Sequence, residues 1–469
     1  MSQLRKQPPA TDDQRVADSL YAKHQKIYPR EVHGIYARLR LLAVIVLLGA
    51  YYGLAWINWD GRQILLFDLP ERKFHIFFWT FWPQDFFLLT IMLIIAALTL
   101  FFFTALAGRL WCGYACPQTV WTEVFMWIER KVEGDRPRQM KLDKSPWTAH
   151  KIRIKATKHI LWGLFALWTG FTFVGYFTPI RELIHEGHYM TTSAWETFWI
   201  LFYAFATWGN AGFMREQVCL YMCPYARFQS AMYDSDTMVI SYDEVRGEPR
   251  GGRKRSDDPA ALKLGSCIDC SICVQVCPTG IDIRNGQQYE CISCAACIDA
   301  CDDVMEKMGY AKGLIRHTTL NILQGGRRRI IRPRILIYAG LLLILIASLF
   351  YSLATRMPLE LDVIRDRNTL YRETYDGMIE NVYTLKLINM DKFGHDYRLS
   401  ATGITGLRLI MDQQRIHVPA GEVVGLPVRL RADPYALKNR STPVTFTLQA
   451  EDNARLKATE DARFLGPFK

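Results

Sequence analysis

The chain has 469 residues, a formal net charge of +11, and 50% hydrophobic and 13% aromatic residues beside 22% charged ones. That length exceeds one ordinary core, and the apolar residues fall in blocks of membrane-spanning length separated by basic stretches, so the charge reads as loops beside a lipid bilayer. No nucleic-acid reader accompanies the basic residues, which argues against nucleic acid as a partner.

From Met1 to about Arg40 the sequence is polar and charged and lacks the apolar core and small-residue cleavage site of a signal peptide, so a retained cytoplasmic tail (1–40) is expected. Five apolar runs then approach the roughly 20 residues that span a bilayer: Leu41 to Ile57, Phe86 to Ala107, Ile160 to Ile180, Ala194 to Met214 and Ile335 to Ala354. Glu196 and Asn210 lie near the ends of the fourth, where the interface can solvate them, and read as structural. Phe74 to Trp82, aromatic and closed by Pro83, is too short to span and reads as an interfacial segment.

The loop after the second run carries Arg109, Arg130, Lys131, Arg136, Arg138 and several lysines up to Lys158, whereas the first loop has Arg62, Arg72 and Lys73 and the third only Arg181. Positive loops stay inside, so the basic side is cytoplasmic. Arg327, Arg328, Arg329, Arg332 and Arg334 put the segment before the fifth run on the same side, and five spans place the C-terminus outside.

Just past the second and fourth runs come Cys112-x3-Cys116-Pro117 and Cys219-x3-Cys223-Pro224. Each precedes an amphipathic aromatic stretch, Thr119 to Ile128 and Tyr225 to Tyr233, that proline is suited to open as a helix. The unit is an internal repeat whose two copies can be related by a pseudo-twofold axis. Cysteines four apart share a face if helical. The four thiols then read as a soft-metal site, a further cluster or a redox dithiol, against plain packing of small apolar cysteines. Arg109 and Arg215 nearby would lower the thiol pKa values.

The next motif is Cys267-x2-Cys270-x2-Cys273-x3-Cys277-Pro278, followed by Cys291-x2-Cys294-x2-Cys297-x3-Cys301. In such runs three thiolates grip one cubane and the fourth reaches the other. Cys267, Cys270, Cys273 and Cys301 are thus expected to hold one 4Fe-4S cluster, and Cys277, Cys291, Cys294 and Cys297 the second. Zinc knuckles usually pair two CxxC elements or add histidine, which is not this pattern. Asp302 in place of a second proline alters a turn without removing a ligand. Two clusters in one small fold make a relay, not a catalytic centre.

No cysteine follows Cys301, which sets the thiols apart from an exported disulfide framework and favours reduced, metal-binding cysteines. Only His159 sits at the edge of an apolar run, so transmembrane haem is not expected, and there is no CxxCH, P-loop or GxGxxG. Electrons must arrive from a cytoplasmic partner or a quinol. His185, His188 and Met190 in the outer loop could touch a borderline metal but read as a solvated loop. Beyond Met357 the pattern alternates with period two, as in Val382 to Leu387, Leu407 to Met411, Val428 to Arg431 and Val444 to Leu448, and reads as an immunoglobulin-like sandwich.

The expected architecture is a multi-pass α-helical membrane protein: a four-helix membrane domain (41–235), an inserted two-cluster ferredoxin domain (236–334), a fifth transmembrane helix (335–356) and a C-terminal immunoglobulin-like β-sandwich (357–469). This ordered set of motifs resembles the cytochrome c oxidase accessory proteins of the CcoG, FixG or RdxA type over nearly the whole chain. The resemblance implies a bacterial inner-membrane protein with a periplasmic C-terminal domain that reduces Cu(II) to Cu(I) in maturation of a cbb-type oxidase. Its expected partners are membrane lipid and copper-handling and oxidase-assembly proteins. Cys112, Cys116, Cys219 and Cys223 match the family's membrane cysteines, and the eight downstream cysteines match its cluster ligands. The other readings are an electron-transfer subunit of a quinol- or ferredoxin-linked complex, with a third cluster at the membrane cysteines, or a non-redox assembly scaffold.

Overall fold

The computed structural model describes residues 26–467 apart from 190, 259–260, 368, 413–414 and 438, so Met190 and most of the expected N-terminal tail lie outside the described residues. The chain divides into two units, 1–346 and 347–469.

The first unit opens on helix α1, Ile35–Leu54, followed by a loop containing the antiparallel strands β1 Leu65–Asp68, β2 Lys73–Ile76 and β3 Trp79–Phe81. The aromatic stretch expected to lie along the interface is therefore two strands of a β-meander. Its Phe67 and Phe74 rings pack at 6.0 Å, and the loop is tied down because Phe67 donates its N–H to the Tyr176 carbonyl at 2.7 Å.

Next come α2 (Phe86–Ala107), α3 (Leu110–Tyr114), α4 (Pro117–Glu133), α5 (Arg136–Lys144), α6 (Ala149–Val174), α7 (Ile180–His188) and α8 (Ala194–Thr207), which continues as π-helix over Trp208–Met214. Of the five expected spans, three helices among the described residues are long and apolar enough to cross a membrane: Ile35–Leu54, Pro83–Ala107 and Pro333–Thr355. The first half of α6 carries Lys151, Arg153, Lys155 and Lys158, and α8 is a regular α-helix for only 14 residues. These two helices pack on each other through Gly170. A Cβ there would lie 2.4 Å from the Ile200 carbonyl oxygen and 2.9 Å from the Ala204 nitrogen, so only glycine lets the backbones approach this closely. His185 and His188, expected on a solvated loop, sit on the short amphipathic α7, whose Ile180 and Leu183 are buried. Glu196 keeps its structural role by closing a capping box with Ser193.

Beneath the helices lies a buried cage of charge. Glu129 accepts from Lys26 at 2.9 Å and from Arg215 at 2.7 Å, and pairs with Lys158 at 3.3 Å; Glu133 pairs with Lys158 at 2.7 Å and Lys155 at 2.8 Å. Asp143 adds Lys155 at 2.5 Å and the Tyr28 hydroxyl at 2.7 Å. Burial alone would raise the Glu129 carboxyl, but Arg215, Lys26 and Lys158 around it hold it down to about 2. The cage joins α4, α5 and α6 to the segment before α1, a pairing of groups up to 117 residues apart.

After α9 (Pro224–Ala231) the cysteine-rich segment is bracketed by an antiparallel pair, β4 Val239–Tyr242 with β5 Ile315–Thr318, and backed by α10 (Ala296–Met308). Ile240, Tyr242, Ile283, Ile298, Met305, Leu314 and Ile315 form its core. Residues 27–37 are not a free tail. Arg30 donates its N–H to the Gln275 carbonyl at 2.8 Å and Val32 packs on Val276, Ala296 and Ala300. Asp299 then caps α1 from a distance, accepting the Tyr36 and Ala37 N–H groups at 3.2 and 2.7 Å. Gly34 is required beside it, because a Cβ would fall 2.3 Å from the Asp299 carboxyl. The last helix, α11 (Pro333–Thr355), follows the arginine-rich stretch.

The second unit is a β-sandwich, as the period-two alternation implies. One sheet orders strands 408–410, 423–432, 379–389 and 359–365, with 372–373 pairing on 379–389, and the other orders 416–418, 395–402, 441–450 and 457–465. Tyr383, Leu385, Leu430, Tyr397, Phe446, Leu448 and Phe464 fill the space between them.

The Asp299 cap generates a test. Asp299→Ala removes two charge-assisted hydrogen bonds to a helix N-terminus and is expected to cost about 1 kcal/mol. Segment 26–34 of the otherwise folded chain should then become more open to limited proteolysis; cleavage at the wild-type rate would contradict the docking.

Candidate electron-transfer site

The two cysteine loops of the ferredoxin segment are built alike. Asp269 and Ser271 take φ of 52° and 54°, and Ser293 and Ala295, at the equivalent places, take 55° and 60°. Left-handed conformations at non-glycine residues are costly. Two in each loop curl the chain so that successive thiols face one centre. One void is lined by Cys267, Cys270, Cys273 and Cys301 with Tyr242, Ile268, Ile272, Arg284 and Leu314. A second is lined by Cys277, Cys291, Cys294 and Cys297, with Cys273, Ile240, Ile281 and Ile283 also in its wall. The structure thus brings together the two sets the spacing predicts, including the exchange of the fourth cysteine between loops. Each is a set of four cysteines around a small void with an apolar wall. Among the described residues no three His, Cys, Asp or Glu side chains converge tightly enough for a single ion. The chemistry of the donors and the shape of the voids fit 4Fe-4S clusters.

The membrane-edge motifs repeat at the level of dihedral angles. Gly108 and Arg215, each four residues before the first cysteine, end their helices at φ 59°, ψ −127° and φ 41°, ψ −111°. Cys116 and Cys223 are both extended, at φ −61°, ψ 128° and φ −79°, ψ 111°, and the following prolines open α4 and α9. The cysteines of a motif therefore do not share one helix face. The helical turns end at Tyr114 and Met222, just before the second cysteine of each motif. Cys112 and Cys219 lie within electrostatic reach of each other and of Cys116 and Cys223, so all four gather in one place. Gln229 supplies a carbonyl oxygen 3.7 Å from the Cys112 sulfur.

Burial dominates the electrostatics of Cys112, Cys116 and Cys219. It pushes Cys112 up to about 11 and Cys219 up to about 12, with Arg109 pulling both the other way. The expected net lowering by Arg109 and Arg215 is thus corrected: Arg109 is outweighed, and Arg215 is turned away, bound to Glu129 and to the Gly212 carbonyl at 3.0 Å. Burial likewise pushes Cys301 and Cys294 up to about 12. Such thiols stay protonated when bare and yield thiolates only to a metal group that takes their charge.

The third thiol set abuts the second. A Cβ on Gly113 would lie 2.8 Å from the Ile292 carbonyl oxygen, 2.9 Å from that of Ser293 and 3.0 Å from the Cys294 Cα, so the motif's own glycine seats its backbone on the cluster loop. Arg109 donates to the Tyr289 carbonyl and, at 2.8 Å, to that of Ala226. Arg40, at the start of α1, donates to the Cys294 carbonyl at 2.5 Å. Arg40, Asp299 and Tyr289 were not legible as site residues, since contacts over 180 to 263 positions leave no local signal. Gly113 had one, as a glycine inside a cysteine motif.

Two rings of thiols in apolar walls, a third thiol set seated on the second through Gly113, and helices long and apolar enough to cross a membrane define a membrane iron–sulfur protein of electron transfer. The comparisons agree. Residues 214–320 match a 4Fe-4S dicluster domain, residues 89–133 a 4Fe-4S binding domain, and residues 349–467 the IG-like fold at the C-terminal of FixG, described as a putative oxidoreductase. The chain is 40% identical over 415 residues to the nitrogen fixation protein FixG of Rhizobium meliloti, covering 80% of this chain and 79% of that protein. It is 40% identical over 444 residues to protein RdxB of Cereibacter sphaeroides, with 91% of each covered. A crystal structure of a FixG-related protein from Vibrio parahaemolyticus is 35% identical, with 24% of this chain and 98% of that one covered at a TM-score of 0.22. The chain belongs to the FixG, RdxA and RdxB family.

Arg40 offers a test of this geometry. Its positive charge beside Cys294 favours the more negative, reduced state of whatever that ring holds. Arg40→Met is therefore expected to move one of two reduction potentials to more negative values, by about 40 mV for each kcal/mol of interaction lost, with the other unmoved. Potentiometric titration followed by electron paramagnetic resonance reads both; two unchanged potentials would count against the contact.

Proposed function

We propose that this chain is a cupric reductase of oxidase assembly, in which the ferredoxin segment feeds electrons to Cu(II) at the four membrane-edge thiols. The observation that carries the reading is the seating of the membrane-edge cysteine motif on the second ferredoxin ring through Gly113. In this reading Cys267, Cys270, Cys273 and Cys301 hold one 4Fe-4S cluster and Cys277, Cys291, Cys294 and Cys297 the other. Bound clusters supply one electron at a time. The chain's own part is to fix the spacing, exclude water and place soft donors at the exit. Each Cu(II) takes one electron and becomes Cu(I), which Cys112, Cys116, Cys219 and Cys223 suit as thiolates and which leaves for a copper-handling protein. Gln229 and Arg109 orient this pocket without reacting.

A second reading has support of its own. The 4Fe-4S match over 89–133 includes Cys112 and Cys116. The four thiols would then hold a third cluster that lengthens the relay. Metal content separates the two: about eight irons and eight sulfides per chain in the first reading, about twelve in the second. Cys219→Ser with Cys223→Ser is expected to abolish most Cu(I) formation by the anaerobically reduced chain, measured with a Cu(I) chelator, while eight irons remain. Loss of about four irons supports the third cluster, and unimpaired copper reduction contradicts both.

The same reading places the protein in a bacterial inner membrane with the ferredoxin segment cytoplasmic and the sandwich periplasmic. We assign α6 and α8 to the membrane as a fourth and fifth crossing, supported by their close packing at Gly170 and by exposed Leu164, Trp168, Leu201 and Phe205. A reporter fused at the C-terminus should be active outside and one near Arg253 inside; the reverse pattern would overturn the orientation.

A further inference from the structure

We propose that the donor is a membrane quinol, bound in the cavity between α1, α4 and the second cysteine loop. This rests on the relay reading and names its source of electrons. The cavity measures about 550 Å³, within the range of small-molecule sites. Its walls include Leu41 of α1, Thr122, Met126 and Trp127 of α4, and two thiols, Cys219 and Cys294. It is thus bounded at once by the second ferredoxin ring and by the membrane-edge ring.

The chemistry of the walls selects the class of ligand. The space is far larger than one metal ion needs, and the lining is mostly apolar. Of the five arginines in its wall, Arg40 is engaged with the Cys294 carbonyl, Arg130 with Glu123 at 3.6 Å and Arg215 with Glu129, and the carboxylates of Glu31 and Glu216 in the same wall offset the charge of Arg30 and Arg38. That is a poor clamp for a phosphorylated cofactor and a good slot for a neutral ring with two oxygens. Leu41 continues into the exposed apolar surface of α1 at Leu42, Ile45 and Val46, and α4 presents Trp127, 53% exposed, on the other side, so an isoprenoid tail has an apolar track out of the slot. Aromatic and aliphatic residues at a membrane edge suit such an amphiphile.

The step balances as a two-electron oxidation. The quinol loses two O–H protons and two electrons and becomes a quinone. The first electron passes to the ring that holds Cys294 and on to the ring of Cys267, Cys270, Cys273 and Cys301, the second then stays on the ring that holds Cys294, so the two rings would take one electron each, and the protons leave by the exposed Glu31 and His33 at the rim. Arg40 beside Cys294 favours the reduced state there, the direction a quinol donor requires.

The experiment uses the full chain, anaerobically purified in lipid nanodiscs, with decylubiquinone as probe and tryptophan fluorescence as readout. Saturable quenching is expected, weakened at least tenfold in Thr122→Phe and in Leu41→Phe, with iron and sulfide per chain unchanged as the control for folding. Decylubiquinol or menadiol should bleach the visible cluster absorption of the wild type but not of these variants. Absence of saturable binding, equal binding in both variants, or binding without bleaching would each overturn the proposal. Copper reduction by dithionite-reduced chain is scored separately: its failure sinks the cupric-reductase reading and leaves the quinol site standing, whereas failure of the quinol arm leaves copper reduction standing.

Discussion

The contact between Gly113 and the Ile292–Cys294 backbone is the constraint on which the rest depends. Electrons cross protein over short gaps, and here the gap between the membrane-edge thiols and the ferredoxin loop is closed by a residue with no side chain. Any larger residue would push its Cβ into two carbonyl oxygens and a Cα at 3.0 Å or less. The neighbouring contacts hold that position: Arg109 on Tyr289 and Ala226, Arg40 on Cys294, and Asp299 on the start of α1. Three of these four link the ferredoxin segment to a membrane helix or its flank, so the segment is seated on the membrane unit rather than tethered to it.

The cost of that seating is charge and strain kept out of water. Arg215 sits at a positive φ that favours glycine, and the surrounding cage of Glu129, Glu133, Asp143 and three lysines holds it there. Breaking such a network by removing one partner is more damaging than its net worth suggests, because the remaining charges stay buried and incompletely paired. The cage also explains why Arg215 does not tune the nearby cysteines: its guanidinium is bound to the Glu129 carboxylate. At Cys112 and Cys219 the thiol chemistry is left to burial, which keeps the bare sulfurs protonated and makes metal binding the step that ionises them.

Much of this was legible in the residues. The spacing of the eight downstream cysteines carries the two rings and even the exchange of Cys277 and Cys301, because ring closure is set by the local turn at Asp269–Ser271 and Ser293–Ala295. The Cys-x3-Cys-Pro repeat carries a repeated backbone conformation, and period-two alternation carries the sandwich. Other features were not legible. The β-meander at 65–81 hid in an aromatic run, since aromatic residues serve strands and interfaces alike. Helices α6 and α8 fall short of a plain span because lysines of the buried cage and a π-helical turn interrupt them. The docking of residues 27–37 and the roles of Arg40 and Asp299 depend on partners some 250 positions away, which no periodicity records.

The central claim is that electrons held by the two ferredoxin rings leave the chain at the membrane-edge thiols. The most direct measurement is a single-turnover one: the fully reduced chain mixed anaerobically with Cu(II) in a stopped-flow instrument, following the return of oxidised-cluster absorption. That exit predicts one-for-one oxidation of clusters and copper, slowed at least tenfold when Cys112, Cys116, Cys219 and Cys223 are all serine and the ferredoxin clusters remain. Equal rates in that variant and the wild type would contradict it and make the ferredoxin segment itself the site of copper reduction.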